Sequence, residues 1–196
     1  MTTRTTSPRS VHPKTRAAWR AWLSRHHQRD EGVWLISFKK ATGKPRIDYG
    51  EQVEEALCFG WIDSKPAKLD DERSMLWFAP RKHGTGWSKP NKERVERMIR
   101  EGRMAPAGLA KVEAAKRDGS WSRLDAVEAL EIPDDLERAL AAFEHSAQNF
   151  ASFPRSVKRG ILEWILDAKR PVTRASRVAE TARLANEGVR ANQWPR

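Results

Sequence analysis

Cysteine is the residue this 196-residue chain has least of: Cys58 stands alone. No intramolecular disulfide framework can therefore hold the fold, and a reducing, cytoplasmic setting is expected. The surroundings of that thiol, Glu55-Ala-Leu-Cys-Phe-Gly60, form an apolar helical stretch and read as core rather than as a nucleophile's pocket. Long apolar runs are missing as well, so no segment has the length needed to span a bilayer. Residues 1–13 contain two prolines and no acid, and they lack the apolar centre of a secretory signal. They are expected to form a disordered tail. The five histidines, His12, His26, His27, His83 and His145, show no metal-ligand spacing, and no phosphate-binding glycine fingerprint is present. Neither metal nor cofactor is expected, and no residue is assigned a catalytic role. A Cys58–His83 pair completed by Asp63 or Glu55 is the one nucleophilic arrangement these residue types would allow.

What the chain does have is positive charge, +11 in all, unevenly placed. Residues 1–32 carry +5 and residues 154–196 carry +6, while 33–153 hold twenty bases and twenty acids. Inside that neutral middle, 81–103 has eight bases against three acids, and 104–153 has five against nine. Fields of this kind attract polyanions or anionic surfaces. The densest feature is Arg81-Lys-His-Gly-Thr-Gly-Trp-Ser-Lys-Pro-Asn-Lys-Glu-Arg94, with two glycines, one tryptophan and five Lys/Arg side chains. The glycines let the backbone turn, Ser88 or Asn91 can cap the helix that follows, and Pro90 fits its first turn. A helix start behind a basic loop suits an anion.

Periodicity sets the fold class. Trp19, Trp22, Leu23 and His26 fall at helical spacing and predict a helix over roughly 14–28. Val33-Trp-Leu-Ile-Ser-Phe38 is apolar on both faces and predicts a central strand. Asp48 and Glu51 form a capping box for a second helix lined by Val53, Ala56 and Leu57. Extended arms beginning at Trp61 and Ser74 are joined across Leu69-Asp-Asp-Glu-Arg73, with Pro66 marking an edge or a bulge. The expectation is α+β: a small antiparallel sheet of about three or four strands with helices packed on it, followed by a helical C-terminal half. In that half, Asp134 and Glu137 read as a capping box before Leu136, Leu140, Phe143 and Ala147. Val157, Ile161, Trp164 and Ala168 mark the next helix, and Thr173 caps the last. The regions are a tail at 1–13, an α+β region at 14–103 and a helical region at 104–196 packed on it as one compact unit. Of the nine tryptophans, Trp19, Trp22, Trp34, Trp77 and Trp164 lie on apolar faces and are expected in the core. Trp87 and Trp121 lie in polar loops, where they could stack on a base or a ring, and Trp194 lies in the C-terminal tail.

Several segments together resemble the YdeI/OmpD-associated, or bacteriocin-protection, family. They are Trp34-Leu-Ile-Ser-Phe-Lys-Lys-Ala-Thr-Gly43, Glu54-Glu-Ala-Leu-Cys-Phe-Gly-Trp-Ile-Asp63, and Phe78-Ala-Pro-Arg-Lys82 followed by Trp87-Ser-Lys-Pro-Asn91. Further on come Gly102-Arg-Met-Ala-Pro-Ala-Gly-Leu109, Pro133-Asp-Asp-Leu136 and Ala168-Lys-Arg-Pro-Val-Thr-Arg174. The resemblance extends from about residue 20 to 188. It implies a link to bacterial resistance to cationic antimicrobial peptides and to an outer-membrane porin, in a family often described as periplasmic, and it brings no catalytic residues or cofactor. A chain at +11 repels cationic peptides at range, so any resistance is expected to be indirect.

The expected site is a basic cleft. Lys39 and Lys40 end the central strand and would converge with Arg81 and Lys82 over Trp61 or Trp87. Asp63 either caps or pairs with Arg81 or Lys82, or else orients a basic side chain in the pocket. Ser88, Asn91 and Arg94 complete the set at the helix start. The expected function is non-enzymatic binding of an anionic ligand, partner or surface. The alternative is a nucleic-acid-binding module that adds Lys169, Arg170, Arg174, Arg177 and Arg183. A small-molecule enzyme is the remaining reading.

Overall fold

The computed structural model describes residues 10–192. Residues 1–9 of the expected tail, and Trp194, lie outside the described residues. The chain divides between Ser122 and Arg123 into two units.

The first unit is α+β. Its elements run β1 (Ser10–Val11), α1 (Arg16–His26), β2 (Val33–Phe38), a single 3-10 turn (Lys40–Thr42) and α2 (Tyr49–Cys58). They continue with β3 (Trp61–Lys68), β4 (Arg73–Pro80), α3 (Lys89–Arg100) and α4 (Pro106–Arg117). The four strands form one sheet in the order β1-β2-β4-β3. β2, β4 and β3 pair antiparallel, but β1 runs parallel to β2, with Val11 opposite Leu35. The sheet is therefore mixed rather than wholly antiparallel, and Ser10 and Val11 belong to it rather than to a tail. A two-residue strand is too short to show alternation, which is why the sequence hides it. Pro66 sits on edge strand β3 where the register shifts between Asp63 and Pro66, as its missing N–H requires.

The sheet's two faces differ sharply. Val33, Leu35 and Ser37 lie opposite Phe78, Leu76 and Ser74 on the face beneath the helices. There Trp19 meets Phe78 at 5.4 Å between ring centroids, and Leu23, Val53, Ala56 and Leu57 complete the core. The other face carries Trp34 against Trp77, Ile36 against Met75 and Phe38 against Arg73. The two indoles meet edge to face at 5.2 Å, with Lys65 Nζ over both. Trp34 and Trp77 are thus half-buried on the second face rather than core residues, because alternation along a strand separates them from their apolar neighbours.

Helix α2 is fixed at both ends. Asp48 and Glu51 form the expected capping box, worth about 1 kcal/mol. Gly60, at φ +76°, turns the chain directly from α2 into β3. Across the C-terminal end of α2 passes α4, so close that a Cβ on Gly108 would stand 2.2 Å from the Cys58 carbonyl oxygen. This contact puts α4 in the first unit and moves the expected boundary from 103/104 to 122/123.

An ionic cluster ties these helices together. Glu55 is 0% exposed and accepts from Arg16 Nε at 2.6 Å, Arg20 Nη1 at 2.7 Å and Arg103 Nη2. Arg20 also donates to the Arg103 carbonyl at 2.7 Å, and neighbouring Glu54 takes Arg16 and Arg97. One carboxylate thus joins α1, α2 and the α3–α4 connector.

The second unit is helical: α5 (Asp125–Ala129), α6 (Asp134–Ala141), α7 (Ser146–Ser152), α8 (Arg155–Leu166) and α9 (Pro171–Asn186). Leu136, Leu140, Phe150, Ile161, Leu162, Ile165, Ala182 and Ala185 form its core. The row from Leu136 to Ala147 is broken, because α6 ends at Ala141 and Phe143 lies exposed between helices. The Asp134–Glu137 box does not form either. Pro133 holds the N-cap position, and Asp135 instead accepts two hydrogen bonds from Arg174, at 2.7 and 2.9 Å. Arg170, not Thr173, precedes α9, with Pro171 in its first turn. Among the described residues, no helix is long and apolar enough to cross a membrane.

Candidate functional site

The residues expected to share one cleft lie at separate places in the first unit. Trp87 is only 1% exposed and Arg81 only 4%. Gly84, at φ +71°, lets the loop double back, so that the Arg81 guanidinium lies 3.7 Å over the Trp87 ring centroid. Its Nη2 donates to the Thr85 and Gly86 carbonyls. Burial without a neighbouring carboxylate lowers the Arg81 pKa to about 10. The expectation of an accessible indole beside a free cation is therefore corrected: Arg81 covers Trp87, which packs on Trp121 at 5.1 Å and joins the core. A small hollow of about 50 Å³ remains beside them, edged by Lys82, His83, Lys111 and Asp118.

A second hollow, about 530 Å³ and far larger than the first, lies at the other end of the sheet. Its floor is Leu35, Ser37, Ser74 and Leu76, the part of the helix-covered face that runs past the N-terminal end of α2. One wall is Tyr49 and Gln52. The buried Gln52 amide donates to Ser37 Oγ at 3.1 Å and to the Ile47 carbonyl at 2.8 Å, which fixes this corner. Lys39, Lys40, Arg46, Asp63 and Ser64 lie around the floor. Lys39 Nζ donates to the carbonyls of Asp70 and Asp71, and Arg46 pairs with Asp48. Lys40 is exposed and has no carboxylate partner among the described residues. Asp63 accepts from the Tyr49 hydroxyl at 3.0 Å; burial first, and then this carboxylate, raise the Tyr49 pKa.

Trp61 is enclosed, its Nε1 donating to the His27 carbonyl at 2.9 Å. It borders a third hollow of about 370 Å³ with Arg29, Phe59, Pro80 and Lys111. Ser88 takes the N-cap position of α3 without a side-chain bond, and Arg94 donates to Asn91 Oδ1 at 3.1 Å. These three line none of the hollows. Of the expected set, then, Lys39, Lys40 and Asp63 share the second hollow, Arg81, Lys82 and Trp87 share the first, and Trp61 borders the third. Arg46, Tyr49, Gln52, Ser37 and Ser74 were not foreseen. The available signal was Ser37 and Ser74, polar breaks at inward positions of apolar strands.

Other expected chemistry is dispersed as well. Cys58 is buried and its thiol pKa is pushed up by that burial, whereas His83 is exposed and pairs with Asp118 at 2.9 Å. Neither Asp63, bound to Tyr49, nor Glu55, bound to three arginines, is joined to them in a triad. In the second unit Arg174 pairs with Asp135, Arg183 with Glu187, and Arg177 donates to the Trp164 carbonyl. Three of the five cations assigned to a nucleic-acid surface are thereby engaged.

An α+β unit with an open-ended sheet, followed by a helical unit, is the class of protein these features define. Residues 11–111, just over half the chain, match a family model described as a domain of unknown function (DUF8412), and the chain belongs to that family. Residues 129–188 match the model described as Bacteriocin-protection, YdeI or OmpD-Associated, which bears out the resemblance in the helical unit. The segments around Cys58 and Trp87, the most distinctive in the sequence, fall in the first match rather than the second. No curated protein and no solved structure matches the chain.

Proposed function

We propose that the chain is a non-catalytic binding protein whose first unit takes a small anionic ligand in the second hollow. One observation carries this: the helices leave Ser74 and Leu76 only half-buried at this end of the sheet, beneath a rim bearing Lys39, Lys40 and Arg46. Its volume of about 530 Å³ is that of a small-molecule site, where apolar walls supply affinity and a few polar groups set orientation. Leu76, half-buried on the floor, receives the apolar body. Lys40 meets the negative group, and Asp63 accepts from a donor on the ligand. The protein acts in the cytoplasm on this proposal. Protection from cationic peptides is indirect, since a chain at +11 repels them at range.

The test is calorimetric titration with aliphatic carboxylates, octanoate first. Lys40→Ala should weaken binding about ten-fold, the value of one charge-assisted contact. Ser74→Phe, which fills the hollow, should abolish binding while circular dichroism stays native. Octanoate affinity unchanged in both variants defeats the proposal. Binding of generic DNA or RNA that falls steeply with salt would favour a nucleic-acid role instead.

A further inference from the structure

Among the described residues only two buried side-chain nitrogens lack a hydrogen-bond partner, Arg81 Nε and Arg29 Nη1. Both belong to guanidinium groups, and a dry, unmet N–H on a charged group carries a large penalty. Arg81 borders the first hollow, Arg29 borders the third, and Lys111 borders both. Helix α4 forms the shared wall, with Ala107, Lys111 and Ala114 at helical spacing on one side. The Arg81 backbone N–H donates at 2.9 Å to the carbonyl of Gly60, which borders the third hollow.

Charge decides what could sit there. Arg29, Arg81, Lys82 and Lys111 face the two hollows against Asp30 and Asp118. Asp118 is already engaged by His83 at 2.9 Å and by the Ser120 N–H at 2.8 Å. Four cations against one carboxylate not so engaged leave an excess of positive charge, the complement of a dianion rather than of a single carboxylate. Phe59 and Pro80 give the larger hollow an apolar surface for an organic group.

We propose that these two hollows, which meet at Lys111, form a second ligand site, separate from the one beneath Lys40, and that it binds a phosphate monoester. The phosphoryl group lies by Lys111 between the two guanidinium groups, and the organic part lies against Phe59 and Pro80. Charge-assisted hydrogen bonds from Arg81 and Arg29 supply the missing partners.

The test uses the full chain and the arginine Nε–Hε resonances, titrated with phenyl phosphate, inorganic phosphate and benzoate at constant ionic strength. The Arg81 Nε–Hε signal should move with phenyl phosphate, which should bind about ten-fold tighter than benzoate. Inorganic phosphate should move the same signal at higher concentration. Lys111→Ala, at an exposed side chain, and Arg29→Gln, at a half-buried one, should each weaken phenyl phosphate about ten-fold. Lys40→Ala should leave it unchanged, which separates this site from the first. An Arg81 signal indifferent to phenyl phosphate, equal affinity for benzoate, or undiminished binding in both variants would each overturn the proposal.

Discussion

Replacing Glu55 by glutamine tests the energetics of the first unit most directly. The carboxylate is 0% exposed and accepts from Arg16, Arg20 and Arg103, three side chains that reach it from separate parts of the chain. An amide of the same shape keeps the volume but removes the charge and turns an N–H₂ toward guanidinium donors. Breaking a buried pair by removing one partner typically costs about 3–5 kcal/mol, because the other charge is left uncompensated. The three arginine side chains keep 25–36% of their exposure, so water recovers part of that loss. The expected destabilisation is therefore about 3 kcal/mol, at the low end of the range. For a unit of this size it corresponds to a fall in melting temperature of roughly 10 °C. Scanning calorimetry with urea titration would measure it, and the Glu55→Gln/Arg20→Gln double-mutant cycle would report the coupling. A loss below about 1 kcal/mol, the scale of solvent-exposed pairs, would refute the reasoning. It would mean that the cluster only decorates helices already held by their apolar faces.

Two further outcomes follow from particular contacts. Trp87→Ala should destabilise the first unit by about 3–5 kcal/mol, since it removes a buried ring and uncovers the Arg81 guanidinium. An unchanged urea midpoint would show that the indole is not core. In the second unit, hydrogen bonds from Arg174 hold the Asp135 carboxyl below its ordinary value of 3.8. A depressed carboxyl contributes its stability in full above that value and loses it as pH falls through the folded-state value. Arg174→Gln should therefore cost the unit stability at neutral pH and flatten the acid limb of its unfolding, followed by far-UV circular dichroism. An acid limb identical to the parent's would show that the pair carries no such linkage.

The architecture was legible wherever local physics decided it. The capping box at Asp48, the alternation from Val33 to Phe38 and the proline on β3 all mark features that form as read. What escaped were decisions made at a distance. Nothing near Glu55 signals that Arg16 and Arg103, 39 and 48 residues away, will converge on it. Trp34 and Trp77 looked like core because their neighbours are apolar, yet the pleat turns them to the opposite face. Trp87 looked accessible because its loop is polar, yet those polar residues include the arginine that covers it. The site was half legible for the same reason. Lys39, Lys40 and Asp63 come together through the pairing of β2, β4 and β3, while Arg81 turns away into its own loop.

On the two proposals above, charge density along the sequence misplaces the binding surface. In the first unit Arg16, Arg20, Arg97 and Arg103 are matched by Glu54 and Glu55, so much of the positive charge acts between helices rather than outward. The cations proposed to meet an incoming anion are those that packing leaves without a carboxylate: Lys40 on the rim of the sheet, and Arg81 after β4 with Lys111 on α4. Arg81 is the sharper case, because a guanidinium 4% exposed and without a carboxylate is costly to maintain unless something else compensates it. Stacking on Trp87 and two carbonyls offset part of that cost, but Nε is left without a partner. An arginine that serves packing alone loses its stacking and carbonyl bonds in the lysine variant, which lowers stability but touches no ligand. One that waits for a dianion gives up its fork-shaped recognition in the lysine variant even where the fold survives.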